Sequence, residues 1–326
     1  MLFWILGALG FLAVATVLIA YGCYRTAFYQ SPKRNEPSDE ITFPEGDIYL
    51  PYRESMRKWT LETRAMPREE FCIRSHDNLK LYAKFFEFAP GAPIEIMFHG
   101  YRGSAERDLS GGVQRCFKLG RSCLLVDQRC SGKSGGKTIT FGIYEHRDCL
   151  KWVKFAVKRF GPDVKLILTG ISMGAATVLM AAGHSLPKNV IGVLADCSYS
   201  SPKAIIQAVI RQKKLPPVIA YPFVYLGARL FGRFDLEAYS PLEAMKHCQV
   251  PVIFFHGDTD DFVPCSMSRA LYDACVSRKA LVTVPNAGHG LSYPVGGRLY
   301  LDALRSFFGK EASYFDGNFL DGPEKM

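Results

Sequence analysis

Val164-Lys165-Leu166-Ile167-Leu168-Thr169-Gly170-Ile171-Ser172-Met173-Gly174-Ala175-Ala176 is the stretch on which the reading of this chain turns. The apolar run Leu166 to Leu168 has strand character, and Ala175 to Ala182 has helix character. Between them stands G-x-S-x-G, which spans the sharp strand-to-helix turn that this motif requires. A serine at the apex of so tight a turn takes a strained backbone, and its neighbours two residues away must lack bulk. The turn lifts the Ser172 hydroxyl clear of a sheet and aims the Met173 N–H toward the same space. A Gly/Ser turn of purely structural use has the same letters; the flanking strand and helix favour a nucleophile.

Outward from this turn, strands and helices alternate, which predicts a mostly parallel sheet covered by helices on both faces. Strands are expected at Glu70–Ser75 and Leu79–Phe88 around the turn His76-Asp77-Asn78, then at Ile94–Phe98, Cys123–Asp127 and Lys165–Thr169. Three more follow at Val190–Ala195, Val250–Phe255 and Ala280–Val284. Helices are expected at Glu54–Glu62, Gly142–Arg159, Ser172–His184, Ser266–Cys275 and Gly296–Phe308. The interval from Ala195 to Val250 is too long for a plain crossover. It reads as a helical cap, about residues 198–247, that closes over the carboxyl ends of the strands. Its apolar residues would line an acyl or aromatic pocket, with Arg211, Lys213, Lys214, Arg229 and Arg233 facing solvent or lipid.

A serine hydroxyl is a weak nucleophile at neutral pH; it needs an imidazole to take its proton and a carboxylate to orient that imidazole. In an open α/β sheet such groups sit on loops at the carboxyl ends of strands. After one late strand the chain reads His256-Gly257-Asp258-Thr259-Asp260-Asp261-Phe262-Val263-Pro264, and after the last it reads Pro285-Asn286-Ala287-Gly288-His289-Gly290. The order serine, acid, histidine fits this architecture. His289 is the candidate base. The acid is one of Asp258, Asp260 and Asp261, with Asp196 at the end of another strand as a further alternative. His99 and His256 read as turn-shaping residues, and His146 and His184 as helix residues.

Five segments together resemble the α/β-hydrolase superfamily across about Phe71 to Phe308. They are His99-Gly100-Tyr101-Arg102-Gly103, Asp127-Gln128-Arg129-Cys130-Ser131-Gly132-Lys133-Ser134-Gly135-Gly136, the Ser172 turn, His256-Gly257 through Val263-Pro264, and Gly288-His289-Gly290. The likeness is to the membrane-anchored bacterial branch grouped with serine aminopeptidase-like and lysophospholipase-like hydrolases. It implies the α/β-hydrolase fold, a Ser172–His289–Asp260 triad, and an oxyanion hole made by the backbone N–H groups of Met173 and Tyr101. Cys130 departs from the pattern, which has glycine there. Asp127 and Arg129 read as a structural ion pair or loop brace. Glu145, Asp148 and Trp152 read as packing and salt-bridge residues, with Glu145 also within range of the pocket.

Residues 2–24 carry no charge and are long enough to cross a bilayer core as a helix, with Trp4, Tyr21 and Tyr24 near the interfaces. A cleaved signal peptide would want a basic residue ahead of the apolar run, and Tyr21 spoils a lipoprotein-like Ala20-Tyr21-Gly22-Cys23 box. The expected organisation is an anchor over 1–24, a linker over 25–47, the hydrolase domain over 48–310 and a tail over 311–326. Arg25, Lys33 and Arg34 after the span predict a cell-membrane protein whose catalytic domain is cytoplasmic. The net charge of +9 is dispersed, with no basic run interleaved with aromatics that would suggest nucleic acid. Neither a dinucleotide fingerprint nor a phosphate loop is present: position 127, where a phosphate loop needs glycine, is Asp. The ten cysteines lack paired spacing, and no metal or cofactor is expected. The reading is a membrane-anchored serine esterase acting on a small-molecule acyl substrate. Its rivals are an aminopeptidase, with Glu237, Asp235 or Glu145 holding the free amine, and a non-catalytic binding scaffold.

Overall fold

The computed structural model describes residues 1–31 and 40–315. Among these, eight strands make one sheet: β1 (Glu69–Arg74), β2 (Lys80–Phe86), β3 (Ile94–Phe98), β4 (Ser122–Asp127), β5 (Leu166–Ile171), β6 (Val190–Asp196), β7 (Val252–Gly257) and β8 (Lys279–Val284). Their order is β1-β2-β4-β3-β5-β6-β7-β8. Only the β1–β2 and β2–β4 pairs are antiparallel; the rest, from β4 across to β8, run parallel. The central strands are mostly apolar and are buried except at Ile171, as a sheet covered on both faces requires. This is the α/β-hydrolase fold.

One face is covered by α4 (Glu145–Phe160), α5 (Met173–Ala182), α8 (Pro241–Met245) and α9 (Cys265–Ala274), which share a core with Ile96, Leu168 and Phe254. The other carries α2 (Arg53–Ala65), α3 (Ala105–Lys118) and α10 (Ser292–Phe308), packed on residues such as Met97, Leu125, Ile167 and Phe255. The sequence reading missed α3. Its Gly111-Gly112 pair argues against a helix by propensity, but packing demands it. A Cβ on Gly112 would stand 2.2 Å from Met97 Cε, and one on Gly111 2.8 Å from the Trp59 ring. Ser104 caps the first turn of α3, its Oγ accepting the Arg107 N–H at 3.1 Å.

The cap consists of α6 (Pro202–Gln212), α7 (Pro217–Gly227) and a π-helical turn at Ala228–Gly232. Ala244 and Met245 of α8, within the interval expected as the cap, pack in the main core. The helix α1 (Leu2–Ala27) is long and apolar enough to cross a membrane. The linker expected from residue 25 does not begin there. Phe28 is fully buried against Phe141 and Phe234, and Tyr29 bridges Thr138 in antiparallel fashion. The first residues of the expected tail pack on the domain as well. Ala312 is buried, its carbonyl accepts from Arg121 Nε at 2.6 Å, and Phe315 packs on Phe88. The rest of the expected tail, 316–326, and linker residues 32–39 lie outside the described residues.

Candidate active site

β5 delivers Ser172 at the start of α5 with φ 55° and ψ −115°, a conformation that costs a non-glycine residue about 1–3 kcal/mol. The surroundings hold it there. The Ser172 N–H donates to Asp196 O at 2.8 Å. A Cβ on Gly170 would lie 2.2 Å from the Gly174 carbonyl carbon, and one on Gly174 would lie 2.0 Å from Phe98 O. Bulk at either glycine would push α5 off the sheet and release the turn.

Two loops bring partners to this hydroxyl. His289, beyond β8, has Nε2 3.0 Å from Ser172 Oγ and Nδ1 2.7 Å from Asp260 Oδ2. Asp260, beyond β7, accepts the Phe262 N–H at 3.0 Å and the Val263 N–H at 2.8 Å through Oδ1. Burial alone would raise the Asp260 carboxyl, but hydrogen bonds from His256, His289 and the Val263 N–H hold it far below the usual carboxylate range. It is therefore ionised at neutral pH and fixes a proton on His289 Nδ1, which leaves Nε2 to face the serine.

Of the alternative acids, Asp196 and Asp258 are engaged elsewhere. Asp196 accepts from Ser292 Oγ at 2.6 Å and Tyr300 Oη at 3.0 Å. Asp258 accepts the Asn286 N–H at 2.7 Å, bracing the loop that carries the histidine. Asp261 is exposed, and its carbonyl accepts from Gln212. The carboxylates considered for an amine are also occupied. Glu145 accepts from Thr140 N, Thr140 Oγ1 and Gly142 N; Asp235 pairs with Arg229; Glu237 pairs with Lys203 and Tyr221.

Two participants escaped the sequence reading. His256 is fully buried with Nε2 3.3 Å from Asp260 Oδ2, so it flanks the acid as well as shaping a turn. Its Nδ1 meets Ser268 Oγ at 2.7 Å and its Nε2 meets Val263 O at 2.8 Å. Tyr49, in a 3-10 turn at Asp47–Tyr52, donates its hydroxyl to His289 O at 2.9 Å and covers that loop. A histidine four residues before the acid was the available signal for the first; nothing local signals the second.

The loop after β3 runs beside the serine: a Cβ on Gly100 would be 3.7 Å from Ser172 Cβ. It is braced by Gly100 N donating to Asp108 Oδ2 at 3.0 Å and by His99 Nδ1 meeting Gly100 O at 2.8 Å. Burial lowers the His99 imidazole, so a neutral ring donates from Nδ1 and accepts the Gln128 N–H at Nε2. Tyr101 follows on this loop and Met173 opens α5, where the helix dipole favours negative charge. Asp127 and Arg129 do not pair with each other. Arg129 binds Asp148 (2.7 and 2.8 Å) and Asp77, while Asp127 accepts the Lys133 N–H. Cys130 has φ 66°, which explains why glycine suits that position.

Cys197, Asp260 and His289 offer ligand atoms within 4.8 Å of one another, as do His76, Asp77 and Asp148. A cation at the first trio would have to displace the His289–Asp260 hydrogen bond. At the second, Arg129 already neutralises both carboxylates.

The alpha/beta hydrolase fold family matches residues 96–240. The uncharacterized protein YqkD of Bacillus subtilis is 30% identical over 190 residues, 58% of this chain and 62% of that protein. The match thus spans less than two thirds of that relative's length. An uncharacterized protein of Mycobacterium tuberculosis is 26% identical over 245 residues, 74% of this chain and 79% of its own. An esterase of Pyrococcus furiosus has a TM-score of 0.62 at 22% identity, covering 82% of this chain and 96% of that one. Est1E from Butyrivibrio proteoclasticus, solved with ferulic acid bound, has a TM-score of 0.56 at 22% identity, covering 73% of this chain and 97% of that one. Together with the sheet described above, these matches show that the chain has the alpha/beta-hydrolase fold.

Proposed function

We propose that the chain is a membrane-tethered serine hydrolase that cleaves carboxylic esters through an acyl-enzyme. Ser172 Oγ attacks the carbonyl as His289 Nε2 takes its proton, and Asp260 stabilises the imidazolium. The N–H groups of Met173 and Tyr101 hold the oxyanion of the tetrahedral intermediate. On collapse the C–O bond to the alcohol breaks, and His289 returns the proton to the leaving oxygen. Water, deprotonated by His289, then attacks the acyl-enzyme, releasing the acid and restoring Ser172.

The observation that carries this reading is the continuous chain of contacts at 2.7 and 3.0 Å from Asp260 through His289 to Ser172. Folding alone does not call for it. Structural relatives that are esterases agree with the choice of an ester. The aminopeptidase reading loses support because Glu145, Asp235 and Glu237 are already neutralised or fully hydrogen-bonded. The uncharged residues 2–24 of α1 supply the tether, and Arg25, Lys33 and Arg34 after that stretch argue for a cytoplasmic site.

A fluorophosphonate probe tests the assignment. Labelling of the wild type and none of Ser172→Ala is the expected result. Labelling that persists in Ser172→Ala moves the nucleophile elsewhere. A panel of short-chain esters, lysophospholipids and aminoacyl amides tests the bond type, and faster turnover of the amides overturns the ester choice.

A further inference from the structure

The anchor and the cap cannot be placed in a membrane independently. α1 has 26 residues, about 39 Å at 1.5 Å per residue, against a hydrocarbon core of about 30 Å. Its exposed leading part, Met1 to Val14, reaches only about 21 Å. From there a stripe of the helix is covered: Ala15, Thr16, Ala20, Cys23, Tyr24 and Ala27. α7 lies against this stripe, closest at Gly227, where a Cβ would stand 2.4 Å from Ala20 O. Successive contacts advance together along the two segments. Gly227 meets Ala20 and Tyr24, Phe231 meets Tyr21 and Tyr24, and Phe234 meets Phe28. α7 ends at Gly227 and the chain beyond it follows α1 onward to Phe28, so the covered Ala15 and Thr16, ahead of Ala20, face the earlier part of α7, which runs in the same direction as α1. A bilayer that covers the missing 9 Å or so of α1 also reaches the turn between α6 and α7.

The side chains at that turn suit such a position. Val218 is 87% exposed, Ile219 65% and Leu215 51%, and Pro222 is exposed on the same side of α7. α7 itself carries no charge. Arg211, Lys213 and Lys214, all exposed, come immediately before. Apolar groups at the acyl boundary with cations among the headgroups is the pattern of an interfacial helix. We propose that the α6–α7 hairpin docks in the interfacial layer of an anionic phospholipid bilayer beside the anchor. This rests on the reading of α1 as a membrane span. Tyr221 and Val224, on the inner side of α7, belong to the same apolar cluster as Met173 and Tyr101 next to Ser172. Acyl lipids resident in the bilayer are the substrate class this placement favours.

Depth measurement tests the docking. The full-length protein, carrying an environment-sensitive fluorescent amino acid at Leu9, Val218 or Lys154, is reconstituted in vesicles of phosphatidylcholine and phosphatidylglycerol. Nitroxide lipids labelled at shallow or deep acyl positions serve as quenchers. Quenching of twofold or more is expected at position 9 by the deep label and at 218 by the shallow one, with none at 154 on the exposed side of α4. Quenching at 9 with none at 218 overturns hairpin docking and leaves the anchor standing. No quenching at 9 overturns both, and probe labelling of Ser172 still reports separately on the hydrolase reading.

Discussion

Replacing Phe28 by alanine tests whether the last turn of α1 belongs to the hydrolase domain. Phe28 is fully buried, with its ring edge-on to Phe141 at 5.7 Å and to Phe234 at 5.3 Å. Its carbonyl accepts the Ile139 N–H at 2.8 Å, so the site is held from the backbone too and is poorly placed to collapse around a lost ring. Truncating a buried phenylalanine costs about 3–5 kcal/mol. At about 2.1 cal/mol/K per residue over a domain of roughly 270 residues, melting should fall by about 5–9 °C. Leu9→Ala is the matched control: Leu9 is 58% exposed on the free part of the same helix, and its loss should move melting by less than about 1 °C. Both full-length variants would be melted in the same detergent and followed by near-ultraviolet circular dichroism. If Phe28→Ala melts within a degree of the wild type, residues 20–30 are only a tether. If Leu9→Ala melts as early as Phe28→Ala, the loss comes from the detergent-bound helix and says nothing for the domain.

Asp260→Asn should lower kcat by roughly 10⁴ in an ester assay, with KM little changed; a loss below tenfold would deny that Asp260 orients His289. His256→Ala removes a buried neighbour of that carboxylate and should cost kcat about tenfold, near the worth of one hydrogen bond to a charged group; unchanged turnover would leave His256 a turn residue only. For Glu95, burial raises the carboxyl but Arg115 and Arg121 outweigh it and bring it to about 2. Its folded value lies below the unfolded one, so its stabilisation is complete above about pH 4.5 and is lost as pH falls from there toward 2. The gap in urea midpoint between wild type and Glu95→Gln should therefore shrink between pH 6 and pH 3, and a constant gap would refute the ion-pair account. Val218→Asp should leave turnover of a short soluble ester unchanged while slowing that of a lysophospholipid held in vesicles, by severalfold. Equal effects on both would speak against a membrane-seated cap.

Much of the sheet was legible because its central strands are continuous apolar runs bounded by turn chemistry. Leu166–Leu168 and Val252–Phe255 leave little else to be. The positions that converge at the candidate site were legible for a related reason: Ser172, Asp260 and His289 each lie within a few residues of a strand's end, and a parallel sheet brings every such loop to one edge. Choosing among Asp258, Asp260 and Asp261 was not a local question, since all three lie on one loop and only the fold turns Asp260 toward His289. α3 was hidden because its glycines answer to Met97 and Trp59, residues elsewhere in the chain. The packing of α8 into the main core, the covering role of Tyr49 and the burial of Phe28 have the same cause. Each depends on a partner far away in sequence, and no periodicity reports that.

The end of α1 follows from elementary helix chemistry once its neighbours are known. A helix leaves its last carbonyls without intrahelical donors, and these gather negative partial charge. Here Arg102 donates to Thr26 O at 2.7 Å and to Tyr29 O at 3.1 Å, and Tyr101 Oη donates to Ala27 O at 2.8 Å. The donors are the two residues that follow His99-Gly100, on the loop beside Ser172. A helix terminus that needed donors and a loop that needed fixing thus satisfy each other, and Tyr24 Oη meeting Thr138 Oγ1 at 2.8 Å adds a second tie. Deleting residues 1–28 would remove the Ala27 carbonyl that holds Tyr101, one of the two carbonyls that hold Arg102 and the ring of Phe28. A cut before Ala15 would spare every one of these contacts. Turnover of a soluble ester by the two truncations should separate accordingly, the shorter deletion keeping the wild-type rate and the longer one losing it. Equal rates would mean that the loop holds its shape without the helix.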